Sequence, residues 1–362
     1  MKNSIKIMLI SVTVILSSCQ KSDNLFLVSG YSAENKTDVM LCSLNDKGSA
    51  EMISGFTVGD NPSYFTFGKN NLVYFANEVD SFNLTPGGGI TTLRLDEERK
   101  QFVRESSVNQ GGGGPCHITL SDDGKYLITA NYGSGSVSVV RLNPDGIPEQ
   151  VTDVIFYGER SHPHMTLYNH RKQIYYVSDL GLNSIHQLRL DTTIGRLMTE
   201  DVPYLKCEPG SGPRHMAIDK KNVNLFVINE LSSTISVFNV LSDTTDVKQT
   251  VSTLPEGYQD TSYCADLHLS ANGRKLYGSN RGHNSLVTFA VGANGILSSP
   301  KHQSCSGNWP RSFAVSPSGK FLVVANERSD EVSIVSIDTG KSDKVIPSLK
   351  TNAPACVKFL RK

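Results

Sequence analysis

The sequence feature that most constrains the fold is a unit of roughly 50 residues that recurs along the chain. Each unit begins at an anchor residue, usually proline, and continues through an alternating apolar segment, a polar turn and a second apolar segment. Successive anchors lie 44 to 53 residues apart, which predicts one repeat architecture and not two unrelated domains. The anchors are Pro62, Pro115, Pro163, Pro213, Cys264, Pro310 and Pro354.

The second apolar segment of each complete unit ends in Asn or Asp at a nearly constant distance from the anchor. The distance is 15 residues in the first unit and 16 in the other five. A spacing this constant indicates that the two residues hold fixed places within one folding unit. The terminal residues are Asn77, Asn131, Asp179, Asn229, Asn280 and Asn326.

The segments within each unit have the pattern of short β-strands. Apolar residues alternate or run together over a few positions, Gly, Asn, Asp and Ser turns separate them, and helical periodicity is almost absent. Four short strands in roughly 50 residues is the size of a propeller blade. Seven anchors therefore predict an all-β chain folded as a seven-bladed β-propeller.

The two ends of the chain carry complementary parts of one blade. After Pro354 the sequence has room for only one strand, at residues 357–360, whereas residues 24–31 and 39–44 match the second and third strands of the other units. We expect the N- and C-terminal strands to share one blade, which closes the ring and removes an exposed sheet edge.

The first residues have the order of an export signal. Lys2 and Lys6 precede an apolar stretch at residues 7–16 that is too short to span a bilayer. The stretch leads into Leu16-Ser17-Ser18-Cys19, which resembles a bacterial lipobox. We predict a signal peptide at residues 1–18, lipidation of Cys19, a tether at 19–23 and a single propeller domain at 24–362. The alternative is an ordinary signal peptide with a chance cysteine, and either interpretation predicts an exported protein, the first one a cell-envelope lipoprotein on the periplasmic side or at the outer membrane.

Composition excludes several partners. Lys plus Arg number 35 and Asp plus Glu number 35, so no overall charge excess attracts nucleic acid or an anionic membrane, and contact with membrane is expected through the lipid anchor only. The six cysteines after Cys19 are scattered without a Cys-x-x-Cys pair. This spacing favours buried small hydrophobic residues over zinc or dithiol sites.

Chemically active side chains recur at two places that a propeller brings to one mouth of its channel. The loops that enter the innermost strands and leave the next strands meet at that mouth. A repeat that served only packing would carry similar residues there, whereas this chain varies them and includes His, Arg and Glu. The residues after the anchors are Ser63, Cys116, His164, Arg214, Ala265, Arg311 and Ala355. Those after the recurrent Asn or Asp are Glu78, Tyr132, Leu180, Glu230, Arg281 and Glu327.

The chain resembles a known family over essentially the whole predicted mature sequence. The family is the seven-bladed lactonases, which comprise propeller-type 6-phosphogluconolactonases and fungal 3-carboxy-cis,cis-muconate lactonizing enzymes. By that resemblance His164, Arg214, Glu230 and Arg281 fall on the family's proposed active-site positions. The motifs also contain our candidate substrate contacts, His162, His215, His283 and Arg311. The matching stretches are His162-Pro163-His164, Asp179-Leu180-Gly181, Gly212-Pro213-Arg214-His215, Asn229-Glu230-Leu231, Ser279-Asn280-Arg281-Gly282-His283 and Trp309-Pro310-Arg311.

These residue types suit the opening of a lactone, an internal ester. Hydrolysis needs a base to activate water and a cation to stabilise the oxyanion that forms. Glu230 or neutral His164 could be the base, and Arg214 and Arg281 suit an oxyanion, a carboxylate or a phosphate. The alternative is that Glu230 and Arg281 merely pair across the channel, that His215 and His283 only orient neighbours, and that Arg311 is a solvated rim charge.

We expect hydrolysis of an anionic sugar lactone without cofactor or metal, at the channel mouth. Three alternatives stay open at this point: a cyclase that forms lactones, a non-catalytic propeller that binds a glycan or envelope protein, and a metal held by His162, His164 and His117. No Gly-x-Ser-x-Gly motif is present, so a serine-triad esterase has no support.

Overall fold

The computed structural model describes residues 24–32, 37–242, 246–337 and 348–360. The predicted signal peptide, Cys19 and the tether lie outside these residues. Within the described part, no helix is both long enough and apolar enough to cross a membrane.

The described residues form antiparallel strands and one short 3-10 helix, Glu327–Ser329. In chain order the strands are β1 (Asn24–Gly30), β2 (Val39–Leu44), β3 (Ala50–Phe56), β4 (Pro62–Phe67), β5 (Leu72–Asn77), β6 (Ser81–Phe82), β7 (Thr85–Pro86), β8 (Gly89–Asp96), β9 (Gln101–Asn109), β10 (Pro115–Leu120), β11 (Tyr126–Asn131), β12 (Ser136–Leu142), β13 (Pro148–Phe156), β14 (Pro163–Asn169), β15 (Ile174–Asp179), β16 (Ser184–Asp191), β17 (Arg196–Lys206), β18 (Pro213–Ile218), β19 (Asn224–Asn229), β20 (Thr234–Asn239), β21 (Val247–Ser252), β22 (Tyr263–Leu269), β23 (Lys275–Arg281), β24 (Ser285–Val291), β25 (Leu297–Ser304), β26 (Pro310–Val315), β27 (Phe321–Asn326), β28 (Glu331–Ser336), β29 (Leu349–Lys350) and β30 (Pro354–Phe359).

The strands form seven four-stranded sheets, which confirms the seven-bladed β-propeller. Blade one is β4-β5-β8-β9, with β6 and β7 as a small ribbon between its second and third strands. Blades two to six are β10 to β13, β14 to β17, β18 to β21, β22 to β25 and β26 to β29. Blade seven is β30-β1-β2-β3, so the C-terminal strand is innermost in a blade begun by the N-terminus, as predicted.

Each blade is apolar on both faces because it packs between two neighbours. In β1, Phe26 and Val28 belong to a core cluster shared with blade six, while Leu27 belongs to one shared with blade one. The described residues form seven such clusters, one at each blade interface. This explains the near-continuous apolar runs of the second strands, since buried apolar area on both faces drives the blades together.

The constant distance between anchor and Asn or Asp reflects strand register. Pro213 of β18 pairs with Asn229 of β19, and the other five complete units pair in the same way. The recurrent Asn side chains are buried and tie the strands of one blade together: Nδ2 of Asn229, for example, donates to the hydroxyls of Thr234 and Ser236.

Directly after the anchor, the register of the innermost strand shifts in all seven blades. Such a β-bulge leaves a residue unpaired and re-aims its side chain. The bulged residues are those that the repeat analysis placed at the mouth, and they include His164, Arg214 and Arg311.

The six described cysteines are Cys42, Cys116, Cys207, Cys264, Cys305 and Cys356, and all are free and buried. Burial raises the pKa of the Cys264 thiol to about 12, so it stays protonated at neutral pH. The prediction that these cysteines act as small hydrophobic residues is confirmed for the described part of the chain.

Candidate active site

Glu230 lies between two arginines at the channel mouth. Its Oε2 is 2.9 Å from Nε of Arg214 and 2.9 Å from Nη2 of Arg281. The contact with Arg214 is an ion pair that lacks the angles of a hydrogen bond. We call Arg214, Glu230 and Arg281 the arginine–glutamate cluster. It joins blade four to blade five, because Glu230 follows β19 and Arg281 ends β23.

The guanidinium groups of this cluster are buried and fixed by backbone oxygens. Nη1 of Arg214 donates to the carbonyl of Ala265 at 2.6 Å, and Arg281 donates to the carbonyls of Tyr263 and Cys264 at 3.3 Å. The side chains of Arg214 and Arg281 are 2% and 5% exposed, while Glu230 is 19% exposed. Both cations are therefore held in place before any ligand binds, as an oxyanion site requires.

The two cations determine the charge state of Glu230. Burial alone would raise the pKa of its carboxyl group, but Arg214 and Arg281 outweigh burial and hold the pKa below its ordinary value. Burial and the nearby Arg214 lower the pKa of Arg281 to about 10, so it stays charged at neutral pH. An ionised Glu230 that binds two arginines is a weak proton acceptor and a strong clamp for both guanidinium groups.

Arg311 is the centre of a second charged group at the same mouth. Its guanidinium lies 3.8 Å from a carboxylate oxygen of Glu78 and 3.6 Å from one of Glu327, and it packs over the ring of Tyr31 at 5.3 Å. The Tyr31 hydroxyl donates to Glu78 at 3.0 Å. The Arg311 side chain is 15% exposed, so it is not a solvated rim charge.

His164 is a buried imidazole close to the arginine–glutamate cluster. Its Nδ1 has no hydrogen-bond partner among the described residues, and its ring lies 5.8 Å from that of Tyr132. Burial first, and the charge of Arg214 second, hold the pKa of His164 well below its ordinary value. His164 is therefore neutral at pH 7 with a ring nitrogen free to accept a proton.

His162 supports the same edge of the mouth from the loop before β14. Its ring stacks on that of Tyr132 at 4.5 Å, and its Nδ1 is 2.9 Å from the Tyr132 carbonyl oxygen. Its backbone N–H donates to the carboxylate of Asp179, the Asp of the third unit. His162 thus holds Tyr132 beside His164.

His215 lies one layer deeper in the channel than the residues of the mouth. Its ring is 6.1 Å from Tyr64, 6.2 Å from His117 and 5.3 Å from His164. Its Nδ1 is 2.7 Å from Oδ1 of Asp266. Contacts with four other blades place His215 at the channel axis, where its ring supports His164 and is itself held by Asp266.

His283 lies apart from these groups. Its Nδ1 is 2.6 Å from the Ser285 hydroxyl, and its ring neighbours are Tyr258 and His302 of the outermost strand β25. These neighbours lie on the third and fourth strands of blade five and in the loop that precedes the blade. These contacts do not include His164 or the arginine–glutamate cluster, so the substrate contact expected at His283 stays a prediction.

Residues that sequence reasoning did not single out also belong to the site. Asp266 is one, and Trp309, the one tryptophan of the chain, is another. The Trp309 ring lies 5.3 Å from the guanidinium carbon of Arg281 and 3.2 Å from that of Arg328. Its backbone φ of 68° is rare for a bulky residue, and such conformations concentrate at functional sites. Its position directly before the anchor Pro310 was the sequence signal that could have identified Trp309.

The described residues contain no group of three or more His, Cys, Asp or Glu side chains arranged to hold a metal ion. The imidazoles near the mouth instead contact aromatic rings, carbonyl oxygens and Asp266. The alternative of a metal held by His162, His164 and His117 therefore has no geometric support in this part of the chain.

Comparison with known proteins gives matches over nearly the whole ring. The model of a family described as lactonases with a 7-bladed β-propeller matches residues 25–359. The 6-phosphogluconolactonase of Bacillus subtilis (strain 168) is 29% identical over 313 residues, which is 83% of this chain and 87% of the relative. The 6-phosphogluconolactonase of Formosa agariphila is 28% identical over 339 residues, 89% of this chain and 95% of the relative.

Among solved structures, the periplasmic gluconolactonase of Pseudomonas aeruginosa aligns with a TM-score of 0.85 at 28% sequence identity. The alignment covers 94% of this chain and 99% of that one.

Proposed function

Because the chain belongs to the lactonase family of seven-bladed β-propellers, we propose that it hydrolyses a sugar lactone to the hydroxy acid at the mouth of its channel. The relatives named as lactonases match over most of their own length, which supports the same reaction class for this chain. The observation that carries the proposal is the buried arginine–glutamate cluster beside a neutral, unpartnered His164. A propeller that served only as a scaffold has no need for opposed buried charges in its channel.

In this proposal His164 is the base. It takes a proton from water as the water oxygen bonds to the lactone carbonyl carbon, and it returns a proton to the ring oxygen as the C–O bond breaks. Glu230 does not compete for this role, because its carboxylate is occupied by ion pairs with Arg214 and Arg281, whereas Nδ1 of His164 has no hydrogen-bond partner among the described residues. The sequence left the choice between Glu230 and His164 open, and the ion pairs favour His164.

Arg214 and Arg281 are proposed to stabilise the oxyanion that forms on the carbonyl oxygen. Both are fixed by backbone carbonyls, so little reorganisation is needed when negative charge develops. Glu230 holds the two like charges together. Arg311 and His162 are proposed as substrate contacts at the rim, with Tyr132 beside His162.

The charges at the mouth favour a sugar lactone without a phosphate. Among the described residues, Arg214, Arg281 and Arg311 face three carboxylates, those of Glu78, Glu230 and Glu327. Arg214 and Arg281 share Glu230, whereas Arg311 has two carboxylate neighbours, so three positive charges face three negative charges. The described charges of the mouth therefore offer little net attraction to a doubly charged phosphate. A proposed location outside the cytoplasm agrees with this, because a structural relative is a periplasmic gluconolactonase.

We further propose that the chain is a cell-envelope lipoprotein anchored through Cys19. The support is the order of Lys2, Lys6, the apolar stretch and the lipobox-like Leu16-Ser17-Ser18-Cys19. Mass spectrometry of the N-terminal peptide from the membrane fraction tests this, and an unmodified Cys19 would overturn the anchor but not the enzymatic proposal.

The function is tested by acid release from glucono-δ-lactone and 6-phosphogluconolactone. We expect the wild type to prefer the lactone without phosphate, and Arg281→Ala to lower kcat by about 10² to 10³. We expect His164→Gln to lower kcat by about 10² to 10⁴. Arg189→Ala is a matched control, because Arg189 forms an ion pair with Glu200 on the outer strands of blade three.

Fluorescence of Trp309 separates lost binding from lost chemistry, since this single tryptophan lies beside Arg281. Titration with gluconate should change the emission of the wild type and of His164→Gln. Equal rates of acid release in wild type, Arg281→Ala and His164→Gln would overturn the proposed site.

A further inference from the structure

A buried aspartate lies behind His164 at the channel axis. The ring of His164 is 5.3 Å from that of His215, and Nδ1 of His215 is 2.7 Å from Oδ1 of Asp266. Oδ2 of Asp266 is 3.0 Å from Nε2 of His268. The side chains of His215 and Asp266 are each 5% exposed, whereas His268 is 41% exposed at the far end of the line.

The carboxylate of Asp266 accepts hydrogen bonds from several neighbouring groups. Besides the two imidazoles, it accepts from the backbone N–H groups of Leu267 and Phe313 and from the Ser312 hydroxyl, at 2.9 to 3.0 Å. Burial alone would raise the pKa of the Asp266 carboxyl group, but His268 and His215 hold it well below its ordinary value. Asp266 is therefore a permanent negative charge inside the channel.

An ionised carboxylate accepts hydrogen bonds and cannot donate them, which fixes the tautomer of its neighbour. Nδ1 of His215 must carry the hydrogen that points at Asp266, so Nε2 of a neutral His215 is left as an acceptor. This is the arrangement in which a carboxylate orients an imidazole and stabilises positive charge that develops on it.

Positive charge develops at His164 in the proposed reaction, in an unfavourable place. Arg214 lies next to it, and Arg311 also acts on it. Titratable and charged groups from five strands act on His164 and His215: Tyr64 of β4, His117 of β10, Arg214 of β18, Asp266 and His268 of β22, and Arg311 of β26. Lys358 of β30 acts on His117. Glu230 is also near His164, but it is already paired with Arg214 and Arg281. Among the described residues that face these two rings, Asp266 is the carboxylate without an arginine partner in this group, and it can offset an imidazolium at His164 through His215.

We propose that Asp266, acting through His215, is a positioning residue for His164: it holds the His215 ring against His164 and compensates the charge of the imidazolium formed during turnover. The inference rests on the proposed function, in which His164 accepts a proton from water. His268 supplies a second hydrogen bond to the same carboxylate from the solvent end and has a lesser role.

The first test compares the kinetics of wild type, Asp266→Asn and His268→Gln. Loss of the carboxylate charge should lower kcat roughly tenfold or more, which is part of the about 10² to 10⁴ that a positioned base supplies, with KM changed less than about twofold. It should also move the acid limb of the pH profile to lower pH, because an uncompensated imidazolium loses its proton more readily. His268→Gln should lower kcat by less than Asp266→Asn.

Asp153→Asn is the matched control, since Asp153 also accepts a backbone N–H, from Leu197 at 2.9 Å, but lies on an outer strand. It should leave kcat and the pH profile at wild-type values. His215→Gln provides a second route if Asp266→Asn folds poorly, and gluconate binding followed by Trp309 fluorescence reports whether each variant keeps an intact site.

The second test does not need catalysis. NMR titration of the His164 ring without substrate should give a lower pKa in Asp266→Asn than in wild type. An unchanged His164 titration together with an unchanged pH profile would overturn the role of Asp266 while leaving lactone hydrolysis intact. If the wild type lacked lactonase activity, the proposed function would fail, and an unchanged titration would then overturn the coupling on its own.

Discussion

At the scale of single residues, Glu230 shows how a local contact decides chemical role. Its carboxylate lies 2.9 Å from both Arg214 and Arg281. The pairing of Glu230 with Arg281, considered from the sequence as an alternative to function, is therefore present, but it joins neighbouring blades and does not cross the channel. In our proposal the pairing serves the reaction, because it holds two like charges where an oxyanion would form. The sequence could not reveal this, since repeat position brings residues to one mouth without specifying which atoms touch.

The buried histidines predict a loss of stability in acid. Burial first, and Arg214 second, lower the pKa of His215 to about 4, against about 6.5 for a histidine in an unfolded chain. Between these two pH values the unfolded state binds a proton that the folded state does not, so stability falls as pH falls, by about 3 kcal/mol for this group.

Urea unfolding at about pH 7 and about pH 4.5 measures this effect. The loss of stability between the two conditions should be smaller in His215→Gln than in wild type, and unchanged in His170→Gln, whose side chain is 67% exposed. The same loss in wild type and His215→Gln would contradict the assignment.

At the scale of elements, the turn after β23 positions Arg281. Gly282 has a φ of 96°, and a Cβ there would lie 2.4 Å from the carbonyl oxygen of Thr261. Gly273, in another turn of blade five, has a φ of 70° and open space around its Cβ direction. Alanine at either position carries backbone strain of about 1 to 2 kcal/mol, but only at Gly282 does it also collide with backbone.

Gly282→Ala should therefore reduce thermal stability more than Gly273→Ala and should also lower kcat/KM, because Arg281 is displaced. Thermal unfolding and lactone hydrolysis of the two variants give the comparison. Equal activity in both would show that this turn does not position Arg281.

The innermost strands show what could be predicted of the site and what could not. The constant spacing from Pro213 to Asn229 identified paired strands and the mouth to which Arg214 belongs. Strict alternation, however, places Arg214 and His215 on opposite faces of a strand. The β-bulge after the anchor breaks that alternation and lets both residues face the channel, so the alternating pattern could not show that His215 contacts Asp266.

At the scale of the whole molecule, closure of the ring should control stability. Val357 of β30 pairs with Val28 of β1 and is 2% exposed in the core between blades six and seven. Deleting residues 357–362 removes the second half of that innermost strand, and Val357→Asp places a charge in that core. We expect each change either to leave the chain unfolded at ordinary temperature or to lower its Tm strongly.

Val103→Asp is the control for the point substitution, since Val103 is 58% exposed on the outermost strand of blade one. It should change Tm little. Wild-type thermal unfolding in the truncated chain would contradict closure by the C-terminal strand.

The global fold could be predicted from the sequence because the same signal is repeated in every unit. Seven anchors report the number of blades, and the unmatched strand after Pro354 reports how the ring closes. The contacts between blades are not repeated in this way. Asp266 contacts His215 and His268 in one place only, and a residue that occurs once in seven units leaves no periodic signal.

The central claim is that residues far apart in sequence act as one catalytic unit at the channel mouth. A double-mutant cycle of Glu230→Gln and Arg281→Ala, measured as kcat/KM for glucono-δ-lactone, tests it most directly. We predict that the kcat/KM of the double variant is little lower than that of the less active single variant. The loss is then smaller, by about tenfold or more, than the product of the two single losses. The losses caused by Glu230→Gln and Arg189→Ala should instead multiply, because these residues act independently. Independent effects of Glu230 and Arg281, or no effect of either, would contradict the account.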